Sequence, residues 1–262
     1  KKKILEGLGL DNVRYAASGS APIPAELIQW YKRLGLELLE GYGMTENFAI
    51  SHATRPGEAK PGFVGRPYDS VQCKLSEEGE ILVKSPSTML GYYKAPELTK
   101  EVLDEDGFLH TGDRGVIDEN GQLKITGRVK ELFKTSKGKY VAPAPIENEL
   151  LLHPDVEQAC VSGANMPQPF GMVVLTEQAR KDLADAAKKR EIERTLIEHL
   201  DKTNAGLDQH ENLEKIVVLS EPWTIENAML TPTMKLKRSA IEGKYGPKVE
   251  GWYSEKPRVL WV

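Results

Sequence analysis

The sequence EGYGMTE, residues 40–46, follows the predicted strand Leu36-Glu37-Leu38-Leu39 and is the most informative part of the chain for its fold. A strand that ends in a glycine-rich turn exposes backbone N–H groups, and such a turn can hold a phosphate. The chain shows the same arrangement earlier, where a strand-like segment at residues 13–18 runs into the loop Gly19-Ser20-Ala21-Pro22 and Pro24 then opens a helix. The order strand, loop, helix, strand predicts a parallel sheet, in which ligands bind beyond the carboxyl ends of the strands.

Residues 57–127 change in character and predict a small antiparallel β subdomain that is barrel-like. Asn120-Gly121 is a strong hairpin signal. A short helix is expected at residues 96–103. The strands are expected at residues 71–75, 79–84, 108–111, 115–118 and 122–126.

Residues 131–262 predict an α+β domain in which a hairpin pairs residues 131–133 with 140–142. The tail at residues 243–262 is expected to be an ordered terminus that packs on this domain. A charged amphipathic helix is expected from residue 177 to about 200, and its alternating charges are typical of a solvated face. The other elements expected here are a helix at residues 145–152 and strands at residues 156–162, 171–175 and 216–219.

Composition limits the classes of protein that are compatible with the chain. The 262 residues are 28% charged and 40% hydrophobic, which is typical of a globular protein with a substantial core. The net charge of −4 excludes a basic surface for nucleic acid. No apolar run approaches the ~20 residues that span a bilayer, and no signal peptide opens the chain. Cys73 and Cys160 lie far apart without metal-ligand spacing, so we expect reduced cysteines and a cytoplasmic protein.

Thr45 and Glu46 are the first candidates for chemistry. Thr45 offers a hydroxyl donor beside the glycine-rich turn, and Glu46 offers a hard oxygen ligand suited to Mg²⁺. The alternative is that both residues fill the first turn of a capped helix. Asp113, in Thr111-Gly112-Asp113, can present a carboxylate to two vicinal hydroxyls of a ribose. Its alternative role is that of an ordinary β-turn aspartate.

Two cationic residues complete the set. Arg128 follows Asp113 by one predicted hairpin, so both side chains can face one cleft, although a surface arginine is the alternative. Lys235 follows the stiff segment Thr231-Pro232-Thr233, and an ammonium group near a reacting phosphate stabilises the negative charge of a transition state. The alternative for Lys235 is a solvated basic patch.

Together and in this order, the motifs resemble those of the adenylate-forming superfamily, which includes acyl-CoA synthetases, luciferases and peptide-synthetase adenylation domains. The resemblance extends from about residue 18 to residue 238 and is strongest to the long-chain fatty acid–CoA ligase branch. It is carried by GYGMTE (41–46), DGFLHTGD (106–113), GRVKEL (127–132) with GKYVAP (138–143), and LTPTMKLKR (230–238).

The resemblance implies a role for each candidate residue. Thr45 would contact the α-phosphate, Glu46 would hold Mg²⁺, and Lys235 would be the lysine of the adenylation step. Lys130 would be the hinge between a large body and a mobile lid, and the loop around Gly138 would enter the site for thioester formation. The residues implied to surround the adenosine and acyl group are Gly19, Ser20, Ala21, Glu40, Gly41, Tyr42, Gly43, Asp113 and Arg128.

The resemblance also implies a division of the chain and an activity. Residues 1–56 would be a remnant of the N-terminal α/β adenylation core, 57–127 the β subdomain, 128–130 the hinge and 131–262 the lid. The activity would be ATP-dependent activation of a long-chain fatty acid to an acyl-adenylate, followed by transfer to CoA. Two alternatives stay open, namely an enzyme that passes the acyl group to a carrier-protein or reductase thiol, and a non-catalytic nucleotide-binding relic.

The sequence departs from the family pattern because no Ser/Thr/Gly-rich phosphate loop precedes residue 40. We therefore expect the chain to be the C-terminal part of the enzyme, with little or no ligase activity alone. We further hypothesise that the face of residues 1–56 that would pack on the missing sheet mediates self-association. Peripheral contact with a membrane stays open, since no basic amphipathic helix is evident.

Overall fold

The computed structural model describes all residues from Lys1 to Val262 and divides them into two compact units. The first unit comprises Lys1–Lys130 and the second Glu131–Val262. Both mix helices with strands, in agreement with the predicted α/β and α+β class. No helix is both long and apolar enough to cross a membrane.

The first unit contains two four-stranded sheets, with the strand orders β1-β2-β3-β4 and β5-β6-β7-β8. Its elements are α1 (Lys2–Gly7), β1 (Ala16–Ser18), α2 (Ala25–Leu34), β2 (Leu38–Tyr42), β3 (His52–Ala53), β4 (Arg66–Pro67), β5 (Gln72–Leu75), β6 (Glu80–Lys84), α3 (Pro96–Val102), β7 (Leu109–Ile117) and β8 (Leu123–Arg128).

The first sheet contains the predicted parallel pair. β1 and β2 run parallel, with Ser18 opposite Glu40, and α2 makes the connection between them. α2 buries Ile28 and presents its charged residues to solvent, as an amphipathic helix on a sheet should. β2 begins two residues later than the strand predicted at 36–39 and extends through Gly41 and Tyr42. These two residues therefore lie in a strand, and the turn starts at Gly43.

The second sheet is antiparallel throughout, and the turn at Asn120-Gly121 joins β7 to β8 as predicted. The strands predicted at 108–111 and 115–118 form the single strand β7, because a bulge between Arg114 and Gly115 absorbs the break in alternation. Ile81, Leu109 and Leu123 are fully buried and form the centre of its core. The sheet is open, not closed into the barrel that its short strands suggested.

The second unit is built around one four-stranded sheet of order β11-β12-β13-β14 and one short hairpin, β9-β10. Its elements are β9 (Phe133–Lys134), β10 (Tyr140–Val141), α4 (Pro143–Leu150), β11 (Val156–Ser162), β12 (Phe170–Leu175), α5 (Glu177–Asp182), α6 (Ala186–Ala205), β13 (Ile216–Leu219), α7 (Arg238–Tyr245), α8 (Val249–Ser254) and β14 (Val259–Trp261).

The central sheet of the second unit buries both of its faces. In β12, Val173 and Leu175 belong to the cluster that packs against α4 and α6, whereas Met172 and Val174 belong to the cluster that packs against α7 and α8. This arrangement explains why β12 is a continuous apolar run without polar alternation. The C-terminal tail is ordered as expected, with Trp252 buried and β14 paired to β13.

Two details of the second unit differ from or extend the prediction. The helix expected at 177–200 is two helices, because Asp185 accepts hydrogen bonds from the Ala187 and Lys188 backbone N–H groups and starts α6.

In addition, the buried ammonium of Lys215 lies 3.0 Å from the Trp252 carbonyl oxygen and 2.5 Å from that of Glu255. Lys215 thereby donates to carbonyl groups at the C-terminal end of α8, where the Trp252 carbonyl also accepts the Glu255 N–H at 3.3 Å.

Candidate functional site

Tyr42, Asp113 and Arg128 form a hydrogen-bonded cluster in the first unit. The Tyr42 hydroxyl donates to Asp113 Oδ2 at 2.7 Å, and Arg128 Nε lies 3.1 Å from Asp113 Oδ1. Asp113 and Arg128 are directly opposite each other in the β7–β8 register. The hairpin therefore aligns this carboxylate and guanidinium, and β2 supplies the phenol from the other sheet.

Burial makes Tyr42 a permanent hydrogen-bond donor. Removal from solvent raises the pKa of its phenol well above the ordinary value, and the adjacent charge of Asp113 raises it further. The phenol therefore stays protonated and holds the Asp113 carboxylate in one orientation. The Asp113 side chain retains 15% exposure and Arg128 56%, so the carboxylate is reachable by a ligand while the guanidinium lies towards solvent.

Glu80 supports this cluster from the neighbouring strand β6. One of its carboxylate oxygens accepts the Gly112 N–H at 2.9 Å, and the other lies 3.0 Å from His110 Nδ1. The Thr111 hydroxyl accepts the Asp113 N–H at 3.1 Å and donates to the Ile81 carbonyl at 2.8 Å. The sequence analysis missed Glu80, because 32 residues separate it from Gly112 and only the strand register shows that they meet.

The loop after β1 lies beside the end of β2, as the parallel pairing requires. A Cβ atom on Gly19 would lie 3.2 Å from the Gly41 carbonyl oxygen, so the two backbones approach closely there. Ser20 has a positive φ of 69°, and both Ser20 and Ala21 are exposed. The structure therefore places Gly19 next to Gly41, with Ser20 and Ala21 on the open side of the loop.

Glu40 is a buried acid in the middle of β2. Burial raises its pKa to about 7, and a hydrogen bond from the Gly62 backbone opposes this shift. Its backbone N–H donates to the Thr54 hydroxyl, and its carbonyl accepts the Thr54 N–H at 2.8 Å. The carboxyl group can therefore change protonation near neutral pH inside the first sheet.

Gly43 begins a tight turn that carries Thr45 and Glu46. A Cβ atom on Gly43 would lie 2.5 Å from the Ala49 carbonyl carbon, which no side chain can tolerate without a backbone shift. The Met44 N–H donates to the Asn47 side-chain oxygen at 2.9 Å and closes the turn. Thr45 and Glu46 fill a single 3₁₀ turn that Asn47 caps, which agrees with the alternative of a capped first turn, so the roles of both residues at a phosphate and a metal stay predictions.

The carboxylate of Glu46 is oriented by Tyr92, a second residue that the sequence analysis missed. The Tyr92 hydroxyl donates to Glu46 Oε1 at 2.8 Å, and the Met89 N–H donates to the Glu46 carbonyl at 2.7 Å. One carboxylate oxygen remains for a hard cation. A single carboxylate fits Mg²⁺ that arrives with a nucleotide, because protein sites usually hold this ion through one or two carboxylates together with phosphates.

Lys235 and Gly138 belong to the second unit, where each lies on an exposed turn. Lys235 is exposed and follows Met234, whose φ is 62°. The Thr231 N–H donates to the Lys235 carbonyl at 2.8 Å, and the Thr231 hydroxyl accepts the Lys235 N–H at 3.0 Å. Gly138 lies at the tip of the β9–β10 hairpin. Lys130 is exposed and is the last residue of the first unit.

Two family descriptions match separate parts of the chain. Residues 2–93 match the family described as AMP-binding enzyme, and residues 131–257 match the AMP-binding enzyme C-terminal domain. Individual relatives agree with these matches. Human long-chain-fatty-acid–CoA ligase 1 is 33% identical over 278 residues, which cover 96% of this chain and 40% of that protein. Long-chain-fatty-acid–CoA ligase FadD15 of Mycobacterium tuberculosis is 31% identical over 267 residues, covering 97% of this chain and 44% of that protein.

Solved structures show the same similarity. The adenylation domain of a carboxylate reductase from Mycobacterium chelonae has a TM-score of 0.79 and 28% identity, covering 97% of this chain and 41% of that one. The corresponding domain from Segniliparus rugosus, solved with AMP and a co-purified carboxylic acid, has a TM-score of 0.75 and 27% identity, covering 97% and 44%. The chain spans less than half the length of the curated relatives cited above. It belongs to the adenylate-forming superfamily of AMP-binding enzymes, in the branch of the fatty acid–CoA ligases.

Proposed function

We propose that these residues serve an enzyme that uses ATP to activate a long-chain fatty acid as its acyl-adenylate and then transfers the acyl group to CoA. The observation that carries this proposal is the Asp113 carboxylate, held between Tyr42 and Arg128 and open to a ligand. A carboxylate fixed in this way accepts hydrogen bonds from both vicinal hydroxyls of a ribose. The names of the matched ligases support the choice of substrate.

The first unit supplies the nucleotide-binding groups in this proposal. Asp113 binds the ribose with Arg128 beside it. Thr45, exposed on its turn, contacts the α-phosphate, and Glu46 holds Mg²⁺. When bound, the metal neutralises phosphate charge. The backbone around the adenine and the acyl group is supplied by Gly19, Ser20, Ala21, Glu40, Gly41, Tyr42 and Gly43.

The second unit acts as the lid in this proposal, with Lys130 as the hinge. The division of the chain between Lys130 and Glu131 supports that position. Adenylation and thioester formation need different groups at one reaction centre, so a mobile lid can present Lys235 for the first and the Gly138 hairpin for the second.

The reaction proceeds by two displacements. The fatty carboxylate attacks the α-phosphorus of ATP, a phosphorus–oxygen bond forms, and pyrophosphate leaves. The Lys235 ammonium offsets negative charge that spreads over the phosphate oxygens in the transition state. In the second step the CoA thiolate attacks the acyl carbon of the mixed anhydride, and AMP leaves with the electron pair of the broken bond.

A measurement of AMP binding tests the first requirement of the proposal, which is that Asp113 binds the nucleotide. Titration calorimetry should show that AMP binds the natural polypeptide that carries these residues. Asp113→Ala should weaken binding by about tenfold or more, because a hydrogen bond to a charged group contributes about 1.5–3 kcal/mol. Asp69→Ala is the matched control, since the Asp69 side chain is 98% exposed. Equal AMP affinity for Asp113→Ala and Asp69→Ala would contradict the proposal.

A second acceptor for the acyl group is favoured by one observation. The structural neighbours with TM-scores of 0.79 and 0.75 are adenylation domains of carboxylate reductases, not CoA ligases. Product analysis with palmitate and ATP distinguishes the two acceptors, with CoA supplied in one reaction and a phosphopantetheinylated carrier protein in the other. Acyl-CoA supports the ligase, and acyl carrier protein alone supports the second candidate.

The non-catalytic alternative is tested at Lys235. In the natural polypeptide, Lys235→Ala should abolish pyrophosphate release while leaving the thermal unfolding midpoint unchanged. Full pyrophosphate release by a folded Lys235→Ala variant would favour a nucleotide-binding protein that has lost catalysis.

A further inference from the structure

Arg238 is the most highly connected buried cation of the second unit. Its Nη2 donates to both carboxylate oxygens of Glu147, at 2.7 and 3.0 Å. Its Nη1 donates to the Val161 carbonyl at 2.9 Å and to the Cys160 sulfur at 3.2 Å. Only 13% of the Arg238 side chain and 10% of the Glu147 side chain are exposed. A paired guanidinium and carboxylate at this depth form one geometrically defined unit.

Glu147 extends the network into the central sheet. Besides Arg238, it accepts the Val161 backbone N–H at 2.7 Å. The pair therefore binds three elements to one another, since Glu147 lies in α4, Val161 in β11 and Arg238 at the first residue of α7. Loss of Arg238 would leave the buried Glu147 carboxylate without its cation, and loss of Glu147 would leave the guanidinium with only Glu131, whose carboxylate lies 3.9 Å from Nη2.

The pair lies at the base of both turns that carry the proposed lid chemistry. Arg238 is three residues beyond Lys235, and the intervening Lys237 N–H donates to the Met229 carbonyl at 2.8 Å. On the other side, α4 begins at Pro143, two residues after β10 ends the hairpin of Gly138. The α4 carboxylate and the α7 guanidinium thus connect the chain segments that leave these two turns.

We propose that the Glu147–Arg238 pair is the positioning device of the lid, which fixes the Lys235 turn and the Gly138 hairpin relative to each other on one rigid base. This inference rests on the proposed function. Neither residue of the pair is assigned a contact with substrate. Their effect on the reaction is through Lys235, whose ammonium must be placed within a fraction of an ångström to act on the transition state.

Hydrogen exchange tests the positioning role without any catalytic readout. In the 262-residue chain, Glu147→Gln should accelerate amide exchange in residues 231–235 by about tenfold or more relative to wild type, because the base of the turn is released. Exchange in β12 should change much less. Asp201→Asn is the matched control, since it removes the same charge from an exposed pair, 3.2 Å from Arg258 Nη1. Unchanged exchange at 231–235 in Glu147→Gln, or equal acceleration in Asp201→Asn, overturns the proposal.

Kinetics of the natural polypeptide give the second readout. Glu147→Gln should lower kcat of ATP–pyrophosphate exchange by about tenfold or more with little change in the KM for ATP, since ground-state binding does not involve the pair. The kcat of Arg238→Lys should lie between those of wild type and Glu147→Gln, because lysine keeps the charge but cannot place one nitrogen on Glu147 and a second on the Val161 carbonyl. A rise in KM at constant kcat would overturn the proposal.

The two proposals fail in different ways. If Lys235→Ala retains adenylation while Glu147→Gln accelerates exchange at 231–235, the proposed function fails and the structural coupling stands. If Lys235→Ala abolishes adenylation while Glu147→Gln changes neither exchange nor kcat, the positioning role fails. If Glu147→Gln does not fold, amide exchange is measured in Arg238→Lys. Exchange at residues 231–235 equal to that of wild type then overturns the proposal.

Discussion

Glu40→Gln should remove a pH dependence that the buried acid imposes on stability. Burial raises the pKa of Glu40 from 4.5 to about 7, so the folded state retains a proton that the unfolded state has already lost. The stabilisation is fully present below the unfolded pKa and is lost as pH rises through the folded one. The contribution of Glu40 to wild-type stability should therefore decrease as the pH rises from 4.5 to about 7.

The magnitude follows from the size of this difference. The full difference between the unfolded and folded pKa of Glu40 corresponds to about 3 kcal/mol of unfolding free energy. Because solvent reaches part of the carboxyl group, we expect an effect of about 2 kcal/mol. Glutamine has the shape of the protonated acid and does not titrate. The unfolding free energy of Glu40→Gln minus that of wild type should therefore increase by about 2 kcal/mol between pH 5 and pH 8.

Urea unfolding at intervals across this pH range measures the difference directly. Taking the difference between two chains cancels every other titrating group, including His52, whose burial lowers its pKa to about 4 and whose contribution is lost as pH falls. A difference that stays constant from pH 5 to pH 8 would refute the reasoning, because it would mean that Glu40 titrates alike in both states.

Three further substitutions test packing and hydrogen bonding. Gly43→Ala should destabilise the first unit by about 1–3 kcal/mol in urea unfolding, because the new Cβ would overlap Ala49 at 2.5 Å. Lys215→Met should lower the free energy of unfolding of the second unit by about 1–3 kcal/mol, since it removes the ammonium that donates to the Glu255 carbonyl and one of the two donors to the Trp252 carbonyl. Tyr42→Phe should cost about 1.5–3 kcal/mol of stability and also weaken AMP binding in calorimetry, because Asp113 loses the 2.7 Å hydrogen bond that orients it.

Each substitution has a control at an exposed position. Gly7→Ala adds a Cβ with no atom within 4 Å, Lys248→Met alters an exposed lysine, and Tyr93→Phe alters a tyrosine that is 87% exposed. Lys248→Met and Tyr93→Phe should leave the unfolding midpoint within experimental error, and Gly7→Ala, at the last residue of α1, should not lower it. If a control lowers stability as much as its buried counterpart, the contact that motivated the prediction is not the source of the lost unfolding free energy.

The site was predictable where its parts are close in sequence. A Thr-Gly-Asp one hairpin before Arg128 indicated Asp113 and Arg128, which the structure then pairs, whereas Tyr42 lies 71 residues from Asp113 and was implied only by the family resemblance. Local order was sufficient because the β7–β8 hairpin sets its own register. The single helix predicted at 177–200 was wrong, although the N-cap residue Asp185 that divides it is a local signal.

The supporting residues were not predictable, for a physical reason. Tyr92 reaches Glu46 across 46 residues, and Glu147 reaches Arg238 across 91. Such pairings depend on how strands and helices pack, and no periodicity in the chain encodes the register between distant elements. A glutamate inside a helix or a tyrosine in a loop has many alternative environments, so neither residue stood out.

The most direct test of the central claim is a crystal structure of the natural polypeptide with AMP. In that structure both ribose hydroxyls should lie within hydrogen-bond distance of the Asp113 carboxylate, with the adenine beside residues 40–42. AMP bound elsewhere, with the Asp113 carboxylate contacting only Tyr42 and Arg128, would contradict the claim.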